Sequence, residues 1–300
     1  MNYKYPLTIL TPTYNRKDTM KNLYDSLANQ TYKNFQWLII DDGSVDGTGK
    51  FIETLPYQEF EIEYHYKDNG GKHTALNYSH SFIKGKLICI VDSDDWLLPN
   101  AISKIIETWE LYCSLENVKC LTFLKGKNLR EAMNCNFPKE PTLSNHIEFR
   151  VNGARRGDCC EVLMSDVLKE FPFPEYKGET FLGEGYLWNH IGFRYQTVYI
   201  NEIIYICEYM EGGLTKSGRR LRLQSPKGGM ENSNSFMEIH SFPKVIPRIL
   251  RKEAWLFICY GKFAGYGYEE ILEKGYQKSL IRKNYIFGVL LYYYWKIKYL

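Results

Sequence analysis

LICIVDSDDWLLPN, from Leu87 to Asn100, runs through a short apolar stretch and then sets three carboxylates, Asp92, Asp94 and Asp95, within four positions. A short apolar, β-branched run bounded by turn-forming residues reads as a buried strand. Carboxylates crowded at its end repel one another unless positive charge lies among them, and hard divalent cations prefer oxygen ligands of this kind. A solvated acidic turn is the plain alternative.

The segments before it decide between the two. LTILTPTYN reads as a strand ending in a turn, and KDTMKNLYDSLANQ as a helix with Met20, Leu23, Tyr24 and Leu27 on one face. FQWLIIDDGS is a second strand, DGTGKFIETL begins a helix, IEYHYK is a third strand and KHTALNYSHSFIKG a third helix. LICIV is then the fourth strand. This alternation predicts an α/β fold with a mostly parallel sheet flanked by helices. In open sheets of that class, ligands bind outside the carboxyl ends of the strands. Four such ends carry polar clusters here, TPTYN, DDGS, KDNGGK and DSDD, which speaks against four separate solvated turns.

Composition bounds the remaining possibilities. A chain of 300 residues, 44% of them hydrophobic, can bury a sizeable core. Aromatics make up 16%, for which core filling is the simplest reading. A net charge of +3 is too small to make nucleic acid the main partner. The eight cysteines show no CxxC pair and no zinc-like spacing, and are expected to be reduced thiols of a cytosolic protein. MNYKYPLTIL lacks the features of a signal peptide. The longest apolar candidate, YIFGVLLYYYW from Tyr285 to Trp295, falls short of the ~18 residues of a membrane span.

After Pro99 the pattern loosens. NAISKIIETWELY predicts a helix, VKCLTFLKG a strand, and GEGYLWNHIGFRYQTVYINEIIYICEY a short helix followed by strand. EGGLTKSGRRLRLQSPKGGMENS, rich in Gly, Ser and basic residues, is expected to be a mobile loop. From about Phe242 onward the chain reads as helices dense in Lys, Arg and Tyr. The expected division falls into two halves of one domain, 1–98 and 99–240, and a C-terminal helical segment over 241–300.

TPTYNR, IIDDGSVDGT, NGGKHTALN and DSDD, in this order and spacing, resemble the family-2 glycosyltransferases of GT-A fold, inverting enzymes that take a sugar from a nucleotide diphosphate. The resemblance is strong from Leu7 to Trp96 and weaker to about Lys227. It implies a Rossmann-like GT-A sheet with a C-terminal helical extension. NGGKHTALN and EGYLWNHIG resemble the subgroup that builds bacterial capsular, cell-wall or lipopolysaccharide sugars. That implies a UDP-sugar donor, a glycan or polyprenyl-linked acceptor, and a place in the cytoplasm or on the inner face of the membrane.

The resemblance implies roles for particular residues. Asp94 would ligate a divalent cation, Mn²⁺ or Mg²⁺, bridging the donor phosphates, with Asp92 supporting the ribose or the metal's water shell and Ser93 beside the donor. Asp95 would either face sugar hydroxyls or cap the next helix. Asp41 or Asp42 would meet the uracil or ribose, although Asp42 and Ser44 also suit an Asx-type turn. Thr11, Pro12 and Tyr14 would lie at the nucleobase, unless Thr11 and Pro12 only end a strand. Asn69 and Lys72 belong to the donor loop, where Lys72 could neutralise phosphate. His73, His190 and His240 carry no distinguishing spacing.

An inverting transfer also needs a carboxylate to deprotonate the acceptor. Glu184, between Gly183 and Gly185, is the candidate; Gly185 departs from the family's usual Glu-Asp pair, and Glu179 is the nearby rival. Trp188, at i+4 from Glu184, could stack on a sugar or be buried. Arg219, Arg220 and Lys227 could belong to a lid over the diphosphate or acceptor, or to a solvated face. RKNYIFGVLLYYYWKIKYL suits a helix at a membrane surface or one packed on the domain. The competing functions are a nucleotidyltransferase, disfavoured because TPTYNR is not a Gly-rich phosphate loop, and an inactive nucleotide-sugar-binding scaffold subunit.

Overall fold

A computed structural model describes residues 3–56, 58–133, 137–155, 157–207 and 214–299, with side chains left out of account for 214–218. In chain order the elements are β1 (Tyr5–Thr13), α1 (Lys17–Ala28), β2 (Gln36–Asp41), α2 (Thr48–Glu53), β3 (Glu61–Tyr66), α3 (Lys72–Tyr78) and β4 (Gly85–Ile90). There follow β5 (Trp96–Leu97), α4 (Ala101–Tyr112), β6 (Val118–Gly126), β7 (Thr142–Ser144), β8 (Cys159–Met164) and α5 (Ser165–Glu170). The chain continues with α6 (Gly185–Arg194), β9 (Gln196–Ile206), α7 (Leu214–Gln224), α8 (Pro226–Ser235), α9 (Pro247–Phe263), α10 (Tyr268–Lys274) and α11 (Lys278–Tyr299).

The first compact unit, Met1–Ser144, Arg155–Pro172 and Tyr195–Tyr209, contains all of these strands. They form one sheet in the order β3-β2-β1-β4-β8-β6-β9-β5, with β7 paired to β9. β1 runs parallel to β2 and β4, and β2 parallel to β3. All four carboxyl ends therefore fall on one edge. β8 is antiparallel to both β4 and β6, so the parallel character expected from the sequence holds for the first four strands and becomes mixed beyond them.

The hydrophobic pattern decides which side of each element is covered. On α1 the buried residues are Met20, Leu23, Tyr24 and Leu27, the stripe that the 3.6-residue period predicts. β2 is buried along its whole length, as expected of a central parallel strand covered on both faces. Trp37, fully buried on β2, donates its indole N–H to Thr11 Oγ1 at 3.0 Å and so satisfies its one polar atom inside the core.

The second unit, Asn145–Ala154, Phe173–Arg194 and Met210–Leu300, is helical in its described parts. The mobile loop expected over EGGLTKSGRRLRLQSPKGGMENS is instead helical from Leu214, as α7 and most of α8; residues 208–213 lie outside the described residues. The two glycines that suggested a loop serve close packing. A Cβ at Gly228 would lie 2.5 Å from the Phe181 carbonyl oxygen, and one at Gly229 would lie 2.8 Å from the Tyr260 ring. Glu179 adds the cap, its Oε1 and Oε2 accepting the N–H groups of Lys227 (3.0 Å) and Gly228 (2.9 Å) in the first turn of α8.

At the amino end of β3, away from the clustered strand ends, Glu61 accepts hydrogen bonds from Lys4 (2.7 Å), Tyr5 (2.6 Å) and Lys84 (2.6 Å). Burial raises its pKa, but the hydrogen bonds from Lys4, Lys84 and Tyr5 outweigh burial and hold it at about 2, below the ordinary 4.5. A depressed carboxylate stabilises the fold above its unfolded pKa and loses that contribution as pH falls toward the folded one. Unfolding free energy is therefore expected to drop between pH 4.5 and about 2, and Glu61→Gln to flatten that part of the curve in acid-dependent urea titrations.

Candidate active site at the strand ends

The turns after β1 and β2 are clamped to each other. Asn15, in the left-handed region at φ 51°, receives the Val45 N–H on its side-chain oxygen (2.9 Å), and its own N–H donates to Ser44 Oγ (2.8 Å). Asp41, fully buried, accepts from the Ser44 N–H (2.8 Å) and the Tyr64 hydroxyl (2.7 Å). Asp42 accepts from Lys67 Nζ (2.7 Å), from the N–H groups of Gly70 (3.0 Å) and Gly71 (2.7 Å), and from Asn69 Nδ2 (3.2 Å). Asn69 also donates to the Asp42 carbonyl oxygen at 2.8 Å. Gly43, at φ 91°, lies against this loop, where a Cβ would stand 2.8 Å from the Asn69 nitrogen. Asp42 and Asn69 thus shape the donor loop, and the Thr11 side chain faces Trp37 in the core. Tyr14, 49% exposed, is the member of TPTYN open to solvent.

The DSDD turn after β4 is surrounded by cations. Lys72 Nζ donates to Asp92 Oδ1. Lys125 Nζ, on β6 with only 11% of its side chain exposed, lies 3.9 Å from Asp92 Oδ2 and 3.8 Å from Asp95 Oδ2. The Tyr205 hydroxyl, on β9, receives the Asp92 N–H (3.0 Å) and donates to Asp95 Oδ2 (2.7 Å), while Lys125 sits 4.0 Å from its ring centroid. Arg16 Nε lies 3.6 Å from Asp94 Oδ2, whose side chain is 25% exposed. Ser93 is buried.

These neighbours divide the carboxylates electrostatically. Burial pushes the Asp92 pKa up, but the charges of Lys72, Lys125 and Arg16 overcome it and hold the group at about 2. Burial raises Asp95 to about 7, helped by the charges of Asp92 and Asp94 and opposed by Lys125 and the Tyr205 hydroxyl. Lys125 is desolvated, yet Asp92, Asp95 and Glu161 shift its pKa upward, so it keeps its proton. Arg16 and Lys67 lie within TPTYNR and KDNGGK without a role assigned to them there, whereas Lys125 and Tyr205 lie outside every quoted motif. Lys125 leaves a trace, a charge near the end of the otherwise apolar run VKCLTFLKG; Tyr205 leaves none.

Among the described residues no group of three His, Cys, Asp or Glu side chains could hold a metal ion. The arrangement fits a cation shared with a substrate. Asp94 can supply one oxygen, and phosphate and water would supply the rest, as is usual for Mg²⁺.

In the helical unit, Glu184 precedes α6, and its carbonyl receives the Trp188 N–H at 3.1 Å. Glu179, the rival candidate, is engaged in capping α8. Asn232 of α8 stands close to the Gly–Glu–Gly turn: a Cβ at Gly185 would meet its Oδ1 at 3.0 Å. Trp188 is half-buried. Arg219 donates to the Tyr299 hydroxyl (2.7 Å) and lies 4.9 Å from the Trp295 ring centroid, Lys227 lies 5.5 Å from the Tyr176 ring centroid, and Arg220 is exposed. His190 and His240 both face Glu238, at 2.9 and 3.0 Å.

Residues 8–147 match the profile of Glycosyl transferase family 2. Over that segment, a little under half of its length, the chain is similar to the family-2 glycosyltransferases. An uncharacterized glycosyltransferase of Mycoplasma pneumoniae is 36% identical to this one over 109 residues, 35% of this chain and 36% of that protein. Glycosyltransferase GlyA of Streptococcus pneumoniae serotype 4 is 32% identical over 91 residues, 30% of this chain and 13% of that protein. The match therefore spans about a third or less of these curated relatives. Among solved structures, S. aureus TarS 1-349 in complex with UDP-GlcNAc has a TM-score of 0.63 at 17% identity, covering 93% of this chain and 89% of that one. The mannosyltransferase PcManGT of Pyrobaculum calidifontis, in complex with GDP-Man and Mn²⁺, has a TM-score of 0.54 at 16% identity, covering 97% and 87%. These likenesses establish the GT-A fold.

The geometry separates framework from working carboxylates. Asp42→Ala is expected to cost about 2 kcal/mol or more, because it removes the buried acceptor shared by Lys67, the part-buried N–H groups of Gly70 and Gly71 and the Asn69 amide. Asp94→Ala, which loses one partly exposed ion pair, is expected to cost less than about 1 kcal/mol. Urea unfolding of the two variants checks the contrast.

Proposed function

We propose that this protein is a metal-dependent, inverting glycosyltransferase that moves a sugar from a UDP-sugar to a glycan or polyprenyl-linked acceptor. The observation that carries this reading is the DSDD edge, where Asp92 is held ionised among Lys72, Lys125 and Arg16 while Asp94 is held only loosely, 3.6 Å from Arg16. The UDP-GlcNAc and GDP-Man named for the two structural neighbours support a nucleotide-sugar donor, and the first favours uridine. The proposed setting is surface polysaccharide synthesis, such as capsule assembly, in the cytoplasm at the inner face of the cell membrane.

In this reading Tyr14 and the turn after β2 receive the nucleoside, and the buried Asp41 acts on it only by shaping that turn through Ser44 and Tyr64. Lys72 and Arg16 are the cations available to the diphosphate. A divalent cation, Mn²⁺ or Mg²⁺, bound through Asp94 would offset charge on the departing nucleoside diphosphate. Glu184 takes the proton of the acceptor hydroxyl as its oxygen attacks the anomeric carbon, and the configuration inverts. Its assignment rests on the family resemblance. Trp188, Arg220 and Lys227 are proposed acceptor-side contacts; Arg219, bound to α11, is better placed as a structural residue.

Thermal-shift and turnover assays of nucleotide sugars with Mn²⁺, Mg²⁺ or EDTA test the reading. One donor is expected to stabilise the wild type only with metal, Asp94→Ala to lose that response, and Glu184→Gln to bind donor normally while turnover falls at least about a hundredfold. Donor binding by the wild type without any turnover would instead favour an inactive scaffold subunit.

A further inference from the structure

α11 buries one side and leaves the opposite side bare. Ile281, Asn284, Gly288 and Trp295 are its buried residues. Trp255 of α9 donates its indole N–H to Asn284 Oδ1 (2.8 Å), and a Cβ at Gly288 would lie 2.5 Å from Ile258 Cβ. On the far side Ile286, Leu290, Tyr293 and Ile297 recur at helical spacing and are 73%, 59%, 57% and 86% exposed. Phe287 and Tyr294, each 55% exposed, widen the stripe. A contiguous apolar stripe of this kind marks an interaction surface.

The charge on α11 itself is of one sign. It carries Lys278, Arg282, Lys283, Lys296 and Lys298 and no acidic residue in its 22 positions. Arg248, Arg251 and Lys252 share a face of α9 with Trp255, whose ring lies 5.5 Å from that of Phe287; Lys252 is paired with the buried Glu253. Glu269 and Glu270 follow Tyr268 of α10, whose ring lies 4.6 Å from that of Tyr285. No described helix is long and apolar enough to cross a membrane.

We propose that the outward face of α11 docks on an anionic lipid bilayer, lying in the interface with Ile286, Leu290, Tyr293 and Ile297 turned toward the acyl chains and the basic residues among the headgroups. Apolar stripe, flanking Lys and Arg, and Tyr at the boundary are what such a helix requires. A second copy of the chain suits the face poorly, because pairing would bring two acid-free basic helices together. The inference gives the proposed membrane placement a surface and is independent of donor chemistry.

The test is flotation of the full chain with vesicles of phosphatidylcholine, with and without phosphatidylglycerol. Wild type is expected to float only with the anionic lipid and to be released by high salt. The triple variant Ile286→Gln, Leu290→Gln, Ile297→Gln is expected to bind at least about tenfold more weakly while keeping its melting temperature, since these side chains are exposed. Absence of binding, equal binding to neutral vesicles, or undiminished binding by the triple variant would overturn the proposal. So would a wild-type dimer in sedimentation that the triple variant dissolves. Vesicle binding needs neither donor nor metal, so a protein that floats but ignores nucleotide sugars would count against the enzymatic reading alone.

Discussion

A carboxylate taken out of water is tolerated only beside positive charge or hydrogen-bond donors, and the strand-end edge of the sheet is organised by that requirement. The parallel order β3-β2-β1-β4 brings the acidic turns together, and each receives its own compensation. Asp42 has Lys67 and backbone N–H groups, Asp92 has Lys72 and Lys125, and Asp95 has the Tyr205 hydroxyl. Asp94 has the loosest of these arrangements, a 3.6 Å contact with Arg16. Compensation is tightest where a carboxylate ties two loops together, as Asp42 does.

The same edge shows why mixed strand direction matters. Lys125 and Tyr205 reach the DSDD turn from β6 and β9, strands that lie beyond the antiparallel β8 in the sheet order. A wholly parallel continuation would not need β8 to deliver them. The result is a polar cluster supported from both halves of the sheet, with the indole of Trp37 and the hydroxyl of Thr11 closing the core beneath it.

The helical unit obeys a different constraint, close approach of backbones. Gly228, Gly229 and Gly288 each stand where a side chain would collide with a neighbouring carbonyl, ring or aliphatic side chain. Composition alone makes such glycines look like loop punctuation, which is why the segment around α7 and α8 reads as mobile until its neighbours are known. In α11 the converse holds: the packed side is selected by a glycine and two polar or aromatic anchors, and many of its largest aliphatic residues face outward.

The α/β class, the order of the first four strands, the buried stripe of α1 and the grouping of acidic turns were legible in the sequence because they depend on local periodicity and on the rule that parallel strands share a carboxyl edge. The resemblance in the four motifs pointed to the family whose profile matches residues 8–147. Tertiary structure alone decided which carboxylates are tightly held and which loosely, that Glu179 caps a helix, and that Lys125 and Tyr205 adjoin the DSDD turn. Those outcomes depend on partners from 20 to 113 positions away, such as Lys72 with Asp92 and Tyr205 with Asp92, and no local pattern encodes a pairing at that range.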